Sequence, residues 1–312
     1  MNFCSYLIML ALLLWIFAFM MPAGQFELLR KFTAADVAIL LFLSLGAYVG
    51  NGLEYYFISA NIGFRMDRRD IVLLPLAMNL SGTLLPFQGA MAYQMFFFKK
   101  KYGVALSHGL AIAGFLYLLT MTISGIAGVA ICALGKSSSR LFLAVSAVFA
   151  GAAPLVFGVL VCCRKFRSGS PTVNRIVGFV RTVLEDIAAL LKDTRTVAVL
   201  VLIYLLRLFS MIVMFAWIAR CLGFEVNFSA LLLLNLWNML SLLLKVTPNN
   251  LGISQLVSGV MFAMIDLPRE QGVMISFAAT LVFLVMALSF GVLAMGCGLW
   301  EISRRAGADK TK

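Results

Sequence analysis

Two cations stand inside otherwise apolar stretches of this sequence: Arg207, midway along 196–221, and Lys245, within the run 229–266. A charge near a bilayer centre costs about 2.5–3.5 kcal/mol on insertion scales, so each should turn toward protein and find a partner. For Arg207 that partner is a phosphate, a carboxylate such as Glu54, or a backbone carbonyl. Tyr204, Ser210 and Trp217 share its helical face at i−3, i+3 and i+10. Asn235, Asn238, Ser241 and Lys245 form one helical stripe at spacings of three, three and four, leading into Pro248-Asn249-Asn250-Leu251-Gly252-Ile253-Ser254-Gln255. Backbone amides freed at such a bend, a positive helix N-terminus after it and Lys245 together suit an anion. The alternative is interhelical hydrogen bonding, usually worth about 1 kcal/mol or less. A second break, Pro86-Phe87-Gln88-Gly89, offers Gln88 and Gly89 together with Asn79, Thr83 and Gln94.

This is chemistry for holding a headgroup rather than for making or breaking bonds. The chain contains no GxSxG, HExxH, P-loop or paired catalytic carboxylates, and no pattern that calls for a cofactor. Six scattered cysteines without a CxxC pair, and the single histidine His108 with no carboxylate near it in sequence, give a metal site nothing to build on.

The elements that position these residues belong to a membrane. Of 312 residues 62% are hydrophobic and 12% charged, against about 45–50% and about 25% in soluble domains. The net charge is +12 and the pI about 9.7. The basic residues fall in short clusters between apolar runs, as in the loops of membrane proteins, and not on one face as a nucleic-acid binder requires. Apolar windows place full spans near 3–21, 37–58, 104–134, 141–163, 196–221 and 272–299. Segments 71–98 and 229–266 are broken by their prolines, which remove a helical donor and clash with the preceding turn, so each reads as two helical pieces joined by a bend.

Counting charge decides how those pieces run. If each broken segment goes in and comes back out, 17 of the 25 Lys and Arg lie on one side and six on the other, with Arg207 and Lys245 in the membrane. That places both termini in the cytoplasm. The pieces of 71–98 are too short to cross a core of about 30 Å, so that hairpin is expected to be re-entrant. The hairpin 229–266 is re-entrant or two short spans. Both bends then point to the membrane interior from opposite sides, the layout of an inverted repeat. The connection 164–195 reads as an amphipathic helix opened by Ser170-Pro171, lying on the membrane surface with Arg175, Arg181 and Lys192 toward headgroups. Gly46-x-x-x-Gly50 and Gly125-x-x-Gly128 read as sites of close helix approach. The expected architecture is a single all-α polytopic domain over 1–312, with about six full spans and two broken hairpins.

Leu85-Pro86-Phe87-Gln88-Gly89-Ala90, the following Lys-Lys-Lys-Tyr-Gly at 99–103, and Pro248 through Gln255 resemble the lysylphosphatidylglycerol synthase transmembrane family of flippase-like proteins. Only Pro86, Gly89, Pro248 and Gly252 carry over, as the backbone of its two motifs. Where that family places an acidic residue after the first motif's glycine this chain has Ala90, and where it places Arg-Glu the chain has Ser254-Gln255. The chain shows no aminoacyl-transferase domain after Trp300, so the resemblance implies translocation of a lipid or lipid-linked sugar in the cell membrane rather than synthesis. The expected site residues are Arg207, Lys245, Asn235, Asn238, Asn249, Asn250, Gly252, Gln255, Gln88 and Gly89, with a phospholipid or polyprenyl-phosphate-linked lipid as ligand. A membrane accessory subunit presenting a lipid-linked substrate to a glycosyltransferase or synthase partner is the second reading.

Overall fold

The computed structural model describes residues 25–85, 88–133, 140–151, 155, 158–159, 171–243, 247 and 250–309. Every regular element among them is helical. A 3₁₀ turn, Gln25–Lys31, leads into α1, Ala34–Asn61. Thr33 starts α1 with a reciprocal cap: its hydroxyl accepts from the Asp36 amide at 3.2 Å, and the Asp36 carboxylate accepts from the Thr33 amide at 2.9 Å. Then follow α2, Asp70–Leu84, and α3, Gly89–Tyr102, which form the first hairpin. Next come α4, Leu106–Ala133, α5, Arg140–Ala150, α6, Pro171–Lys192, and α7, Thr194–Leu222. The second hairpin is α8, Phe228–Leu243, and α9, Ile253–Met264. Finally α10, Arg269–Met286, passes through a π-helical turn, Ala287–Gly291, into α11, Val292–Asp309.

Four described segments are long and apolar enough to cross a bilayer: Ala34–Asn61, Leu106–Ala133, Thr194–Leu222 and Arg269–Arg304. They match the expected spans at 37–58, 104–134, 196–221 and 272–299. The expected span 3–21 lies outside the described residues, and that at 141–163 is described as α5 over its first part. Both proline-broken segments are pairs of short helices, as the sequence predicts. The side-chain distribution explains why this molecule needs lipid around it. On α7, Leu206 and Phe209 are each 62% exposed while Leu200, Ile203, Tyr204 and Leu208 pack inward. An apolar surface of that kind is matched by hydrocarbon and not by water.

The spine of the fold is the α1–α7 pair. Gly46 and Gly50 let α7 come close: a Cβ on Gly50 would lie 3.4 Å from Arg207 Cβ, and one on Gly46 3.5 Å from Ser210 Oγ. Ser210 then donates to the Leu43 carbonyl at 2.9 Å. At one end of the pair Trp217 donates to Asp36 at 3.0 Å, and at the other Asn61 donates to Asp193 and Thr196 at 3.1 and 2.8 Å. Asp193 caps α7, and hydrogen bonds from Thr196 hold its carboxyl below the usual carboxylate range. Gly125 likewise admits α5, whose Ala150 nitrogen lies 2.2 Å from where a Cβ would stand.

The tightest approach is between α1 and the start of α2. A Cβ on Gly52 would sit 1.7 Å from the Ile71 carbonyl oxygen and 2.8 Å from Ile71 Cα, so backbone and not a movable side chain blocks it. Gly52→Ala must push the first hairpin away from α1. A loss of about 1–3 kcal/mol or more is expected, read as a lowered midpoint of thermal unfolding in detergent; an unchanged midpoint would show that the two helices do not meet here.

Helix α6 begins at Pro171, and its C-terminal half packs on protein. Ile187 and Leu190 are buried against the core that includes Ile112, Phe115 and Phe98. His108, with no carboxylate near it in sequence, has its Nδ1 2.7 Å from Asp186 of α6. The two are 78 residues apart in sequence, so only the docking of α6 on α4 brings them together.

Candidate functional site

A cavity of about 380 Å³ lies where both hairpin bends meet the α1–α7 spine, within the size range of small-molecule sites, roughly 300–1,000 Å³. The first bend lines it with Gln88, Gly89 and Ala90, the second with Thr247, Asn250 and Ser254. Each bend turns through a left-handed residue that is not glycine, Gln88 at φ 64° and Asn250 at φ 58°. Such a conformation is uncommon for residues with a Cβ and is held in place by its surroundings. The first bend is braced by Ser81, whose hydroxyl donates to the Gly89 carbonyl at 2.8 Å. A Cβ at Gly89 would meet the Ser81 backbone carbonyl oxygen at 2.7 Å, so glycine is required there.

At one wall Arg207 Nη1 donates to Glu54 Oε2 at 2.9 Å. The Arg207 side chain is 17% exposed and that of Glu54 2%. Of the three partners open to Arg207, the structure supplies the carboxylate. The guanidinium also lies 5.2 Å from the Tyr204 ring, a cation–π contact, and Tyr204 is held by a 2.8 Å hydrogen bond with Ser124. Among the described lining residues, Glu54 Oε1, Gln94 Nε2 and Asn235 Nδ2 have no hydrogen-bond partner. Two donors and one acceptor left unmet in an apolar body each cost free energy until something polar enters.

Of the expected site residues, the cavity thus collects Arg207, Asn235, Asn250, Gln88 and Gly89. Gln255 and Gly252 are not among the lining residues. The Gln255 side chain accepts from the Gly252 amide at 2.6 Å and donates to Thr280 at 2.9 Å, and it is fully buried directly behind that lining residue. The amide expected to greet an anion at the start of α9 is therefore already capped by this chain's own glutamine. Asn238 lies on α8, and its side chain, like Lys245, Asn249, Pro86 and Pro248, falls outside the described residues. The sequence reading missed Asn51, Tyr48 and Tyr117 as lining. The helical register of Glu54 would have indicated Asn51, one turn away on the same face.

Over residues 2–291 the sequence matches the family described as the lysylphosphatidylglycerol synthase TM region. The chain belongs to this family. Its helical, multi-pass construction is that of the membrane region the family name describes, and the two bends that carry the family resemblance are those that meet at the cavity. Comparison with curated proteins and with solved structures gives no match.

Proposed function

We propose that this member of the family moves an anionic lipid, a phospholipid or a polyprenyl-phosphate-linked lipid, between the two leaflets. The headgroup would enter the cavity, its phosphate meeting Arg207 while Gln94, Asn235 and Gln88 bond its remaining oxygens. The hydrocarbon chains would stay in the bilayer, against the exposed apolar face of the helices. Opposed entry of the two hairpins, drawn from the charge distribution, would let each bend gate the cavity on its own side. The observation that carries the reading is a cavity with a part-buried guanidinium and unsatisfied polar atoms in its described lining, in a body whose outer face is apolar. No step requires bond making or breaking, and the reading assigns the chain no catalysis.

The test is transbilayer movement of fluorescent phosphatidylglycerol in vesicles with and without the purified protein, read with a membrane-impermeant quencher. The expected result is that inner-leaflet probe becomes accessible only when protein is present. A rate equal to that of protein-free vesicles, restored by adding a synthase or glycosyltransferase partner, would instead support the accessory-subunit reading.

A further inference from the structure

Arg207 and Glu54 are the charged side chains of the described lining, and they neutralise each other. A phosphate that takes Arg207 must therefore displace Glu54 from it. Glu54 cannot follow into water, because its side chain is 2% exposed. Its second oxygen has no hydrogen-bond partner even in the paired state, and the donors left unmet in the described lining, Gln94 and Asn235, are neutral amides that bring no counter-charge. The other titratable groups of the described lining are tyrosines, Tyr48 and Tyr55 from α1 and Tyr117 from α4, with Tyr204 of α7 behind the guanidinium. The linings from α2, α3, α8, α9 and α10 bring amides, hydroxyls and apolar groups. An ionised carboxylate left unpaired in such surroundings costs several kcal/mol, and a group in that position takes up a proton instead.

We propose that headgroup entry is coupled to protonation of Glu54, so that a singly charged anionic lipid crosses together with one proton. The inference rests on the headgroup reading above. On entry a phosphate oxygen replaces Glu54 Oε2 as acceptor from Arg207, and the carboxylate binds a proton from water on the loading side. When the headgroup leaves on the far side, the ion pair re-forms and the proton departs there. Only hydrogen bonds and one O–H bond exchange, and the loaded transfer carries no net charge. Transport of this kind responds to a pH difference and not to membrane potential.

The experiment uses phosphatidylcholine vesicles containing the whole chain and a trace of fluorescent phosphatidylglycerol. Parallel vesicles carry a fluorescent polyprenyl-phosphate sugar, and both probes are phosphodiesters with a single negative charge. With a pH difference of one unit, the probe should accumulate roughly tenfold in the leaflet facing the alkaline side, one proton being linked to each headgroup. A potassium diffusion potential of either sign should leave that distribution unchanged. In Glu54→Gln, movement should lose its dependence on pH and follow the potential instead. Should that variant fail to fold, the gradient result on the unmodified protein decides alone. A wild-type distribution that follows the potential and ignores pH overturns the coupling while leaving the headgroup reading standing. Movement of neither probe by folded wild-type protein removes both.

Discussion

Arg207→Ala is expected to destabilise the protein by about 3–5 kcal/mol and to stop lipid movement, and the two effects can be separated. Removing the arginine strands Glu54, a carboxylate 2% exposed, with no donor at either oxygen. Breaking a buried pair from one side carries a penalty of that size because the surviving charge is uncompensated. Replacing both members by neutral groups removes that penalty. The double variant Arg207→Ala with Glu54→Gln should therefore regain most of the thermal midpoint, yet remain inactive, since no cation is left for phosphate at this wall. Unfolding in detergent gives the first quantity and the vesicle assay the second. A double variant that moved lipid at the wild-type rate would reduce Arg207 to one half of a structural ion pair.

The membrane spans were legible because they rest on the least ambiguous signal in a sequence, runs of apolar residues too long to be anything but bilayer-crossing. The two breaks were legible for a local reason as well. Pro86 and Pro248 are each followed by glycine within four residues, and the described helices end at Leu84 and Leu243 and resume at Gly89 and Ile253, whereas Pro75, with no glycine so close behind it, lies inside α2. Arg207 could be singled out by cost alone, and Glu54 among its partners by the same argument, since both are ionisable groups within spans.

Side-chain direction at the second bend was not legible. Gln255 follows a proline-glycine break, carries an amide and sits one turn into a helix, and each of these points to a ligand. A glutamine at the third helical position can equally turn back to cap its own helix, and Gln255 does so. The choice depends on Thr280, 25 residues away, which holds the amide's other end. His108 and Asp186 show the same limit over a longer stretch: spacing along one helix gives no account of what a second helix brings against it.

The three successive lysines Lys99, Lys100 and Lys101 read in sequence as one cytoplasmic charge cluster, yet they divide sharply in the fold. Lys99 and Lys100 are exposed, while the side chain of Lys101 is 1% exposed. It bonds Asp70 at 2.8 Å, pairs with Glu301 of α11 and lies 3.4 Å from Asp67. Tyr102 donates a further hydrogen bond to Asp70, so the first and last turns of the first hairpin are tied together and to α11. A helix turns about 100° per residue, and one of three consecutive positions had to face inward.

Lys101 is the cation this cluster of carboxylates is built around, and Lys101→Ala leaves Asp70, itself 1% exposed, without its counter-charge. A loss of about 3–5 kcal/mol is expected, against changes within about 0.5 kcal/mol for Lys99→Ala and Lys100→Ala, whose side chains face solvent. Removing the stranded charge in Lys101→Met with Asp70→Asn should recover a substantial part of the loss. Equal midpoints for all three single variants would mean that Lys101 is as well solvated as its neighbours and that the hairpin mouth is held by packing alone. Because the bend with Gln88 and Gly89 stands at the other end of the same two helices, a loosened mouth also displaces the cavity wall. The Lys101→Ala protein should accordingly move lipid more slowly than wild type even at temperatures where it remains folded.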